Sequence, residues 1–220
     1  MATKAQQPFM IVFYLTTDFS LLEFSLAVET LRLTNEVLGY QAYRWRLASE
    51  NGDKINASCG VELTTSNSID EEKRNHLNEV GPAMICICSD DVAIGVASSA
   101  LKSWLFECRN RDVKLGAVGS GSHLLAQSGI LDGKKCAVHW RNVENFVQQF
   151  ITTVVDPGIF RNDDTIWTCA GGTATIDMML HLVEQDFGKE IIRAICDRAV
   201  KADVRCGNET QHLRSIKQWH

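Results

Sequence analysis

Two stretches of this chain run apolar without a break: FMIVFYL at Phe9–Leu15 and AMICIC at Ala83–Cys88. A third, VKLGAV at Val113–Val118, carries one lysine near its start. A strand with one wet face alternates apolar and polar residues. A strand with no polar side must be covered on both faces, which is the place of a central strand in a parallel sheet. Amphipathic segments of helical period lie between these runs. Apolar strands alternating with helices predict an α/β fold, a mostly parallel central sheet with helices on both faces as a three-layer sandwich.

Local signals punctuate this plan. Asp18 or Ser20 caps a first helix running to about Leu38, with Leu21, Phe24, Val28, Leu31 and Asn35 along one side and Gly39 as its stop. YRWRLA at Tyr43–Ala48 alternates, and ENGD at 50–53 is a turn. Val61–Thr65 reads as a short strand and Ile69–Val80 as a polar surface helix. Asp90 or Asp91 caps the helix ending near Asn110. His123–Gln127 is helical, Gly129 ends it, and LDGKK turns the chain into a strand at Cys136–His139. Asn142–Phe150 reads as helix, Thr152–Val155 and Ile166–Cys169 as strands. Thr173–Phe187 is an amphipathic helix with Ile176, Leu180, Val183 and Phe187 on its stripe and Gly188 as its stop. A last helix covers Glu190–Lys201.

The 220 residues contain three prolines and no low-complexity linker, so one domain is expected over residues 1–202, followed by a polar tail at 203–220. A formal charge of −5 with no basic run lacks the electrostatic footprint of a nucleic-acid binder. The eight cysteines are scattered, form no CxxC pair, and read as free thiols in a reducing cytoplasm. MATKAQQP has no apolar signal region, and no stretch approaches the ~20 apolar residues that span a bilayer. A cytoplasmic protein with no membrane contact is the expectation. No carboxylate or thiol stands beside a histidine at ligand spacing, so no metal and no cofactor are expected.

In a doubly wound sheet, ligands sit beyond the carboxyl ends of the strands. That rule selects the loops after Leu15, Cys88, Val118 and Cys169, and with them Asp18, Glu23, Asp90, Gly119, Ser120, His123, His139 and Gly171. The most suggestive loop is the turn Gly119-Ser120-Gly121-Ser122. A nucleophile elbow needs glycine two residues before Ser120, where Val118 stands. A phosphate loop needs a lysine after the glycines, and none is there. What remains is a row of backbone N–H groups opening a helix. They suit an anion, or the small residues simply allow strand and helix to pack closely. Ser120 with His123 or His139 is no dyad on sequence proximity alone, and a satisfied structural histidine is the blander reading. Glu23, set among apolar residues after the first strand, is placed for a pocket, where burial would raise its pKa. Thr173, Asp177 and His181 share a helix face and read as surface support. Trp45, Trp104, Trp167 and Trp219 read as core. Trp140 differs in following His139 at a strand end.

FSLLEFSLAVETLRLTNEVLG, YRWRLASENG, LGAVGSGSHLLAQSGILDGKKCAVHW and WTCAGGTATIDMMLHLVEQDFG, in this order, resemble the GlxA-type regulators of the AraC family. The matching part is their N-terminal domain, similar to the PfpI/ThiJ proteins with a flavodoxin-like, class I glutamine amidotransferase-like fold. The pairing of LDGKKCAVHW with CAGGTATID is the specific element. In enzymes of that superfamily the turn after the equivalent strand holds a cysteine nucleophile. Here Gly119 matches that position, and it has no side chain to attack with. Glu23 matches the carboxylate that partners the cysteine. Ser89-Asp90-Asp91 replaces the glycine-rich oxyanion loop, where two acids would repel a developing oxyanion, and Thr16-Thr17 replaces the usual Pro-Gly.

The resemblance therefore implies a ligand-sensing and dimerising regulator domain, not an enzyme. A small polar effector, amine-bearing by the charge of the carboxylates, would contact Glu23, Asp90, Gly119, Ser120, His123, His139, Trp140 and Gly171. Trp140 would add a cation–π contact worth ~0.5–2 kcal/mol. A homodimer is implied, with DNA read by a C-terminal helix-turn-helix domain that is absent from this chain. The rival is an amidase or hydratase with a non-standard nucleophile, Ser120 or Cys169.

Overall fold

The computed structural model describes residues 7–78, 81–90 and 95–211. In chain order the first half forms β1 (Phe9–Leu15), α1 (Leu21–Leu38), β2 (Tyr43–Ser49), β3 (Lys54–Asn56), β4 (Glu62–Thr64), β5 (Asn67–Ser68), α2 (Ile69–Asn78), β6 (Met84–Ser89) and α3 (Ser99–Arg109). The second half forms β7 (Lys114–Gly119), α4 (Gly121–Gln127), β8 (Lys135–Ala137), α5 (Val143–Gln149), β9 (Val154–Asp156), β10 (Phe160–Asp163), β11 (Ile166–Cys169), α6 (Ala174–Phe187) and α7 (Glu190–Ala199).

The main sheet has seven strands in the order β10-β11-β7-β6-β1-β2-β5, all parallel except β10. Strand periodicity divides the core in two. Ile11, Phe13 and Leu15 of β1, with Cys86 and Cys88 of β6, pack under α1, α6 and α7. Val12, Tyr14, Ile85 and Ile87 face the other way, onto α2, α3, α4 and α5. This is why the two uninterrupted runs are the paired strands β1 and β6: each supplies apolar residues to both cores. From β1 the chain winds one way, through α1 to β2; from β6 it winds the other way, through α3 to β7. The strand ends diverge there, and a crevice opens above them. The register sets Leu15 beside Cys88 and Ser89 beside Gly119.

Helix starts follow side-chain chemistry. Ser20 caps α1 by accepting from the Glu23 N–H at 3.4 Å, and Gly39 ends it in the left-handed conformation. Asn35, on the inward stripe, accepts from the Ala42 and Tyr43 N–H groups and donates to the Tyr43 carbonyl, tying α1 to β2. Asp90 does not cap α3. That helix starts at Ser99, with the Ser98 hydroxyl accepting from Leu101 N–H at 3.0 Å; the other expected cap, Asp91, lies outside the described residues, as does Trp219.

Three expected strands fall elsewhere than in the main sheet. The Val61–Thr65 segment folds as β4 in a hairpin with β3, and the Cys136–His139 and Thr152–Val155 segments pair with each other as β8 and β9. The antiparallel edge strand β10, FRND, has too few apolar residues to read as a strand. Helix α2 is less of a surface element than its polarity implies. Glu72 on it is 1% exposed, and its carboxylate takes both arms of Arg46 at 2.7 and 2.9 Å and the Asn67 amide at 2.6 Å. Asp177 on α6 is likewise fully buried. It accepts Lys201 at 3.0 Å and Arg205 through both backbone N–H and guanidinium, so it is a core anchor and not surface support. Residues past 202 pack onto the body as far as Gln211, with Ile159 N–H donating to the Glu209 carbonyl.

Removing one partner of a buried ion pair leaves the other charge without compensation. Glu72→Ala is expected to lower the unfolding free energy by about 3 kcal/mol, and Glu72→Gln by less, in urea denaturation. Equal, sub-kilocalorie effects of both would show that the pair is unimportant.

Candidate functional site

Strand β7 delivers Gly119 to the crevice with φ +59°, in the left-handed region. The Ser120 N–H continues the ladder to the Ser89 carbonyl at 3.0 Å, so the turn is held rigidly. A Cβ at Gly119 would overlap the Ser89 carbonyl oxygen and lie 2.5 Å from Oε2 of Glu23. Across the crevice, a Cβ at Gly171 (φ +99°) would overlap Oε1 of the same carboxylate. The Gly172 N–H donates to Oε1 at 2.8 Å. Glu23, 8% exposed on the first turn of α1, therefore occupies the volume between two bare backbone positions. The glycines and the carboxylate require one another.

The surrounding thiols are chemically quiet. Burial and the nearby Glu23 charge both push the Cys169 thiol up, to about 12, and its sulfur accepts the Gly171 N–H at 3.4 Å. The Cys88 thiol is raised as well, by burial first, then by its hydrogen bond with Cys86 and the charges of Cys86 and Glu23. A neutral, fully buried thiol is a poor nucleophile.

Above Glu23 lies a cleft of about 310 Å³, lined by Glu23, Asp90, Gly119, His139, Trp140, Arg141, Ala170 and Gly172. Of the residues selected from sequence, Glu23, Asp90, Gly119, His139 and Trp140 meet here, and Gly171 backs the Glu23 carboxylate. Ser120 and His123 do not line it. Ser120 is buried at the start of α4. His123 lies edge-on to Phe146, 4.9 Å between centroids, in the core beneath α5. Its ring joins an aromatic cluster with Phe146 and Phe150, because α4 turns that face toward α5 while Gly121 lies against the sheet. Asp18 is held at the mouth of another loop, its N–H on the Asn56 carbonyl. A larger groove of about 940 Å³ lies along α6, α7 and β10; among its charges Lys189 pairs with Glu184, and Lys201 and Arg205 pair with the buried Asp177.

Sequence reasoning missed Arg141. It follows His139-Trp140 in a short 3₁₀ turn, where the His139 Nδ1 accepts the Arg141 N–H at 3.3 Å. That bond leaves the proton of a neutral imidazole on Nε2. The guanidinium carbon sits 5.3 Å from the Trp140 ring centroid. Trp140 thus already has a cation over its ring. The only signal in the sequence was adjacency to the His-Trp pair. Arg141 makes the cleft mixed in charge, with carboxylates on the floor and rim and a guanidinium over Trp140.

A doubly wound sheet with a glutamate packed against the turn after β7 defines a class that comparison with known proteins makes specific. The chain matches the DJ-1/PfpI family over residues 10–185, and it belongs to that family. It is 32% identical over 214 residues to the HTH-type transcriptional regulator GbdR of Pseudomonas aeruginosa, covering 95% of this chain and 54% of that protein. It is 25% identical over 193 residues to the HTH-type transcriptional regulator GlxA of Rhizobium meliloti, covering 87% of this chain and 57% of that protein. The crystal structure of an AraC family transcriptional regulator from Pseudomonas putida has the same fold, with a TM-score of 0.77 at 21% identity over 87% of this chain and 100% of that one. The resemblance to GlxA-type regulators read from the sequence is borne out. The chain spans about half the length of the curated relatives it matches, at 54% and 57%.

Two outcomes are expected at this site. Gly119→Cys would place a thiol at the apex of the turn, but the new Cβ meets Ser89 and Glu23. The variant should lose about 2–4 kcal/mol in chemical denaturation, from overpacking and left-handed strain; wild-type stability with a reactive thiol would contradict the packing argument. In the folded protein, iodoacetamide at pH 8 should modify the exposed Cys59 and Cys206 and spare Cys169, as mass spectrometry would show. The sign follows from the raised pKa: the thiolate of Cys169 appears only as pH approaches about 12.

Proposed function

We propose that this chain is a non-catalytic, ligand-sensing and dimerising domain of a transcriptional regulator. The observation that carries the reading is the Gly119 turn: bare backbone at the apex, its side-chain volume taken by the Glu23 carboxylate. Such a site binds a molecule and has nothing to attack it with. The alternative nucleophiles fit poorly, since Ser120 and Cys169 are both buried outside the cleft. The family likeness to HTH-type regulators supports the same reading.

The effector is a small polar metabolite with an amine at one end. Glu23 and Asp90 attract the amine; Arg141 offers its charge to an acidic group at the other end of the molecule. A cleft of about 310 Å³ suits a ligand of a few heavy atoms up to amino-acid size. Binding would change the balance between arrangements of a homodimer. DNA contact belongs to a separate helix-turn-helix module, in keeping with the net charge of −5 on this chain.

Thermal-shift measurements against glycine, L-arginine and choline, with acetate and glucose as controls, test the charge assignment. An amine-bearing compound at 100 times its Kd stabilises by about 2.7 kcal/mol. Asp90→Asn should weaken its binding about tenfold, a loss of about 1.4 kcal/mol. Arg141→Ala should do the same only for ligands that also carry an acid. Stabilisation by acetate alone would overturn the assignment, and turnover of an amide or isocyanide would overturn the non-catalytic reading.

A further inference from the structure

Beyond α7 the chain does not run free. Val200, a β-branched residue in the left-handed conformation (φ 52°), turns it sharply, and residues 201–211 lie back across the domain. Three sets of bonds hold this segment. Lys201 and Arg205 grip the fully buried Asp177. Gly207 lies so close to Phe160 and Gly158 that a Cβ on Gly207 or on Gly158 would collide with the opposite backbone. Gln211 then spends its whole side-chain amide on the body: Oε1 accepts the Trp140 N–H at 2.9 Å, and Nε2 donates to the Val138 and Gly158 carbonyls at 2.9 and 3.1 Å.

Two of these attachments land on walls of the cleft. Gln211 holds the backbone of Trp140, between His139 and Arg141, on one wall. Arg205 also donates to the Thr173 hydroxyl at 3.0 Å. Thr173 directly follows Gly172, whose N–H binds Glu23 on the floor. A strap needed only to cover the edge strand β10 would require the contacts to Ile159 and Phe160 alone. The bonds of Arg205 and Gln211 go further and reach the two loops that shape the cleft.

We propose that residues 201–211 form a strap whose docking is thermodynamically linked to the state of the cleft, with Arg205 and Gln211 as positioning residues for the 171–173 and 139–141 walls. This rests on the cleft being the effector site. A molecule that shifts either wall then loosens or tightens the strap, and so reports the cleft's state to whatever follows Gln211 in the chain. By linkage the effect is reciprocal: loosening the strap changes the cleft by the same factor.

Hydrogen exchange on the full chain tests this without knowledge of the effector. Two cleft variants that do not touch the strap, Glu23→Ala and Arg141→Ala, are compared with two strap variants, Arg205→Ala and Gln211→Ala. Global stability is checked by urea melts, and Arg141→Ala, an exposed position, keeps the cleft arm usable if Glu23→Ala fails to fold. The linked strap predicts about fivefold or greater acceleration of exchange across 202–211 in a cleft variant. It predicts a matching acceleration at Gly172 in Arg205→Ala. A strap that serves only as edge cover leaves 202–211 unchanged in both cleft variants, and that result overturns the proposal. The two readings fail separately: strap exchange unmoved while an amine stabilises the protein sinks the linkage alone, and linked exchange with no stabilising amine sinks the effector assignment alone.

Discussion

The site is organised by one carboxylate packed against bare backbone. Glu23 reaches the crevice because Ser20 starts α1 one turn earlier and because β1 ends where the sheet's winding reverses. Its two oxygens fill the volumes that side chains at residues 119 and 171 would need. Both glycines sit at positive φ, so each is required twice over: by conformation, and by the neighbour that crowds it. A side chain at residue 119 would require the Ser89 carbonyl and the Glu23 carboxylate, as placed here, to move. At this turn the fold sets bare backbone and a packed carboxylate, with no side chain at the apex.

Buried charge recurs elsewhere, always as a tie between elements distant in sequence. Glu72 joins α2 to β2 through Arg46, and Asp177 joins α6 to the segment after α7 through Lys201 and Arg205. Such pairs add little net stability over well-packed apolar residues, but breaking one is costly, so they fix which segment docks where. The two ties differ in consequence. Glu72 sits far from the cleft and holds an edge of the sheet. Asp177 sits one turn beyond Thr173, so the segment that it holds is also bonded to the loop behind Glu23.

The layer plan could be read from the chain because burial on both faces leaves a mark in residue type. β1 and β6 are apolar at every position that the core uses, and α1 and α6 show their inward stripes. Glu23, Asp90, Gly119, His139 and Trp140 could be located because each follows a strand end. The polar ties were not legible in the same way. Glu72 and Asp177 look like solvent-facing acids in their helices, since a carboxylate's residue type does not disclose a partner 26 or 28 residues away. The edge strand β10 was missed for a related reason: FRND owes its strand conformation to its neighbour β11 and carries little apolar signature. His123 was placed near the site by proximity to Gly119, but four residues of helix turn its ring into the aromatic core.

Sequence by itself determined the sheet's central strands, the helices that cover them, and the absence of a side chain at residue 119, because these depend on local residue type and period. Only the tertiary structure decided that the Glu23 carboxylate fills that vacancy, that Arg141 lies over Trp140, and that residues 201–211 fold back to bond both walls of the cleft. Those are meetings between segments far apart in the chain. Their energy comes from satisfying buried polar groups in three dimensions, a condition that no window of sequence contains.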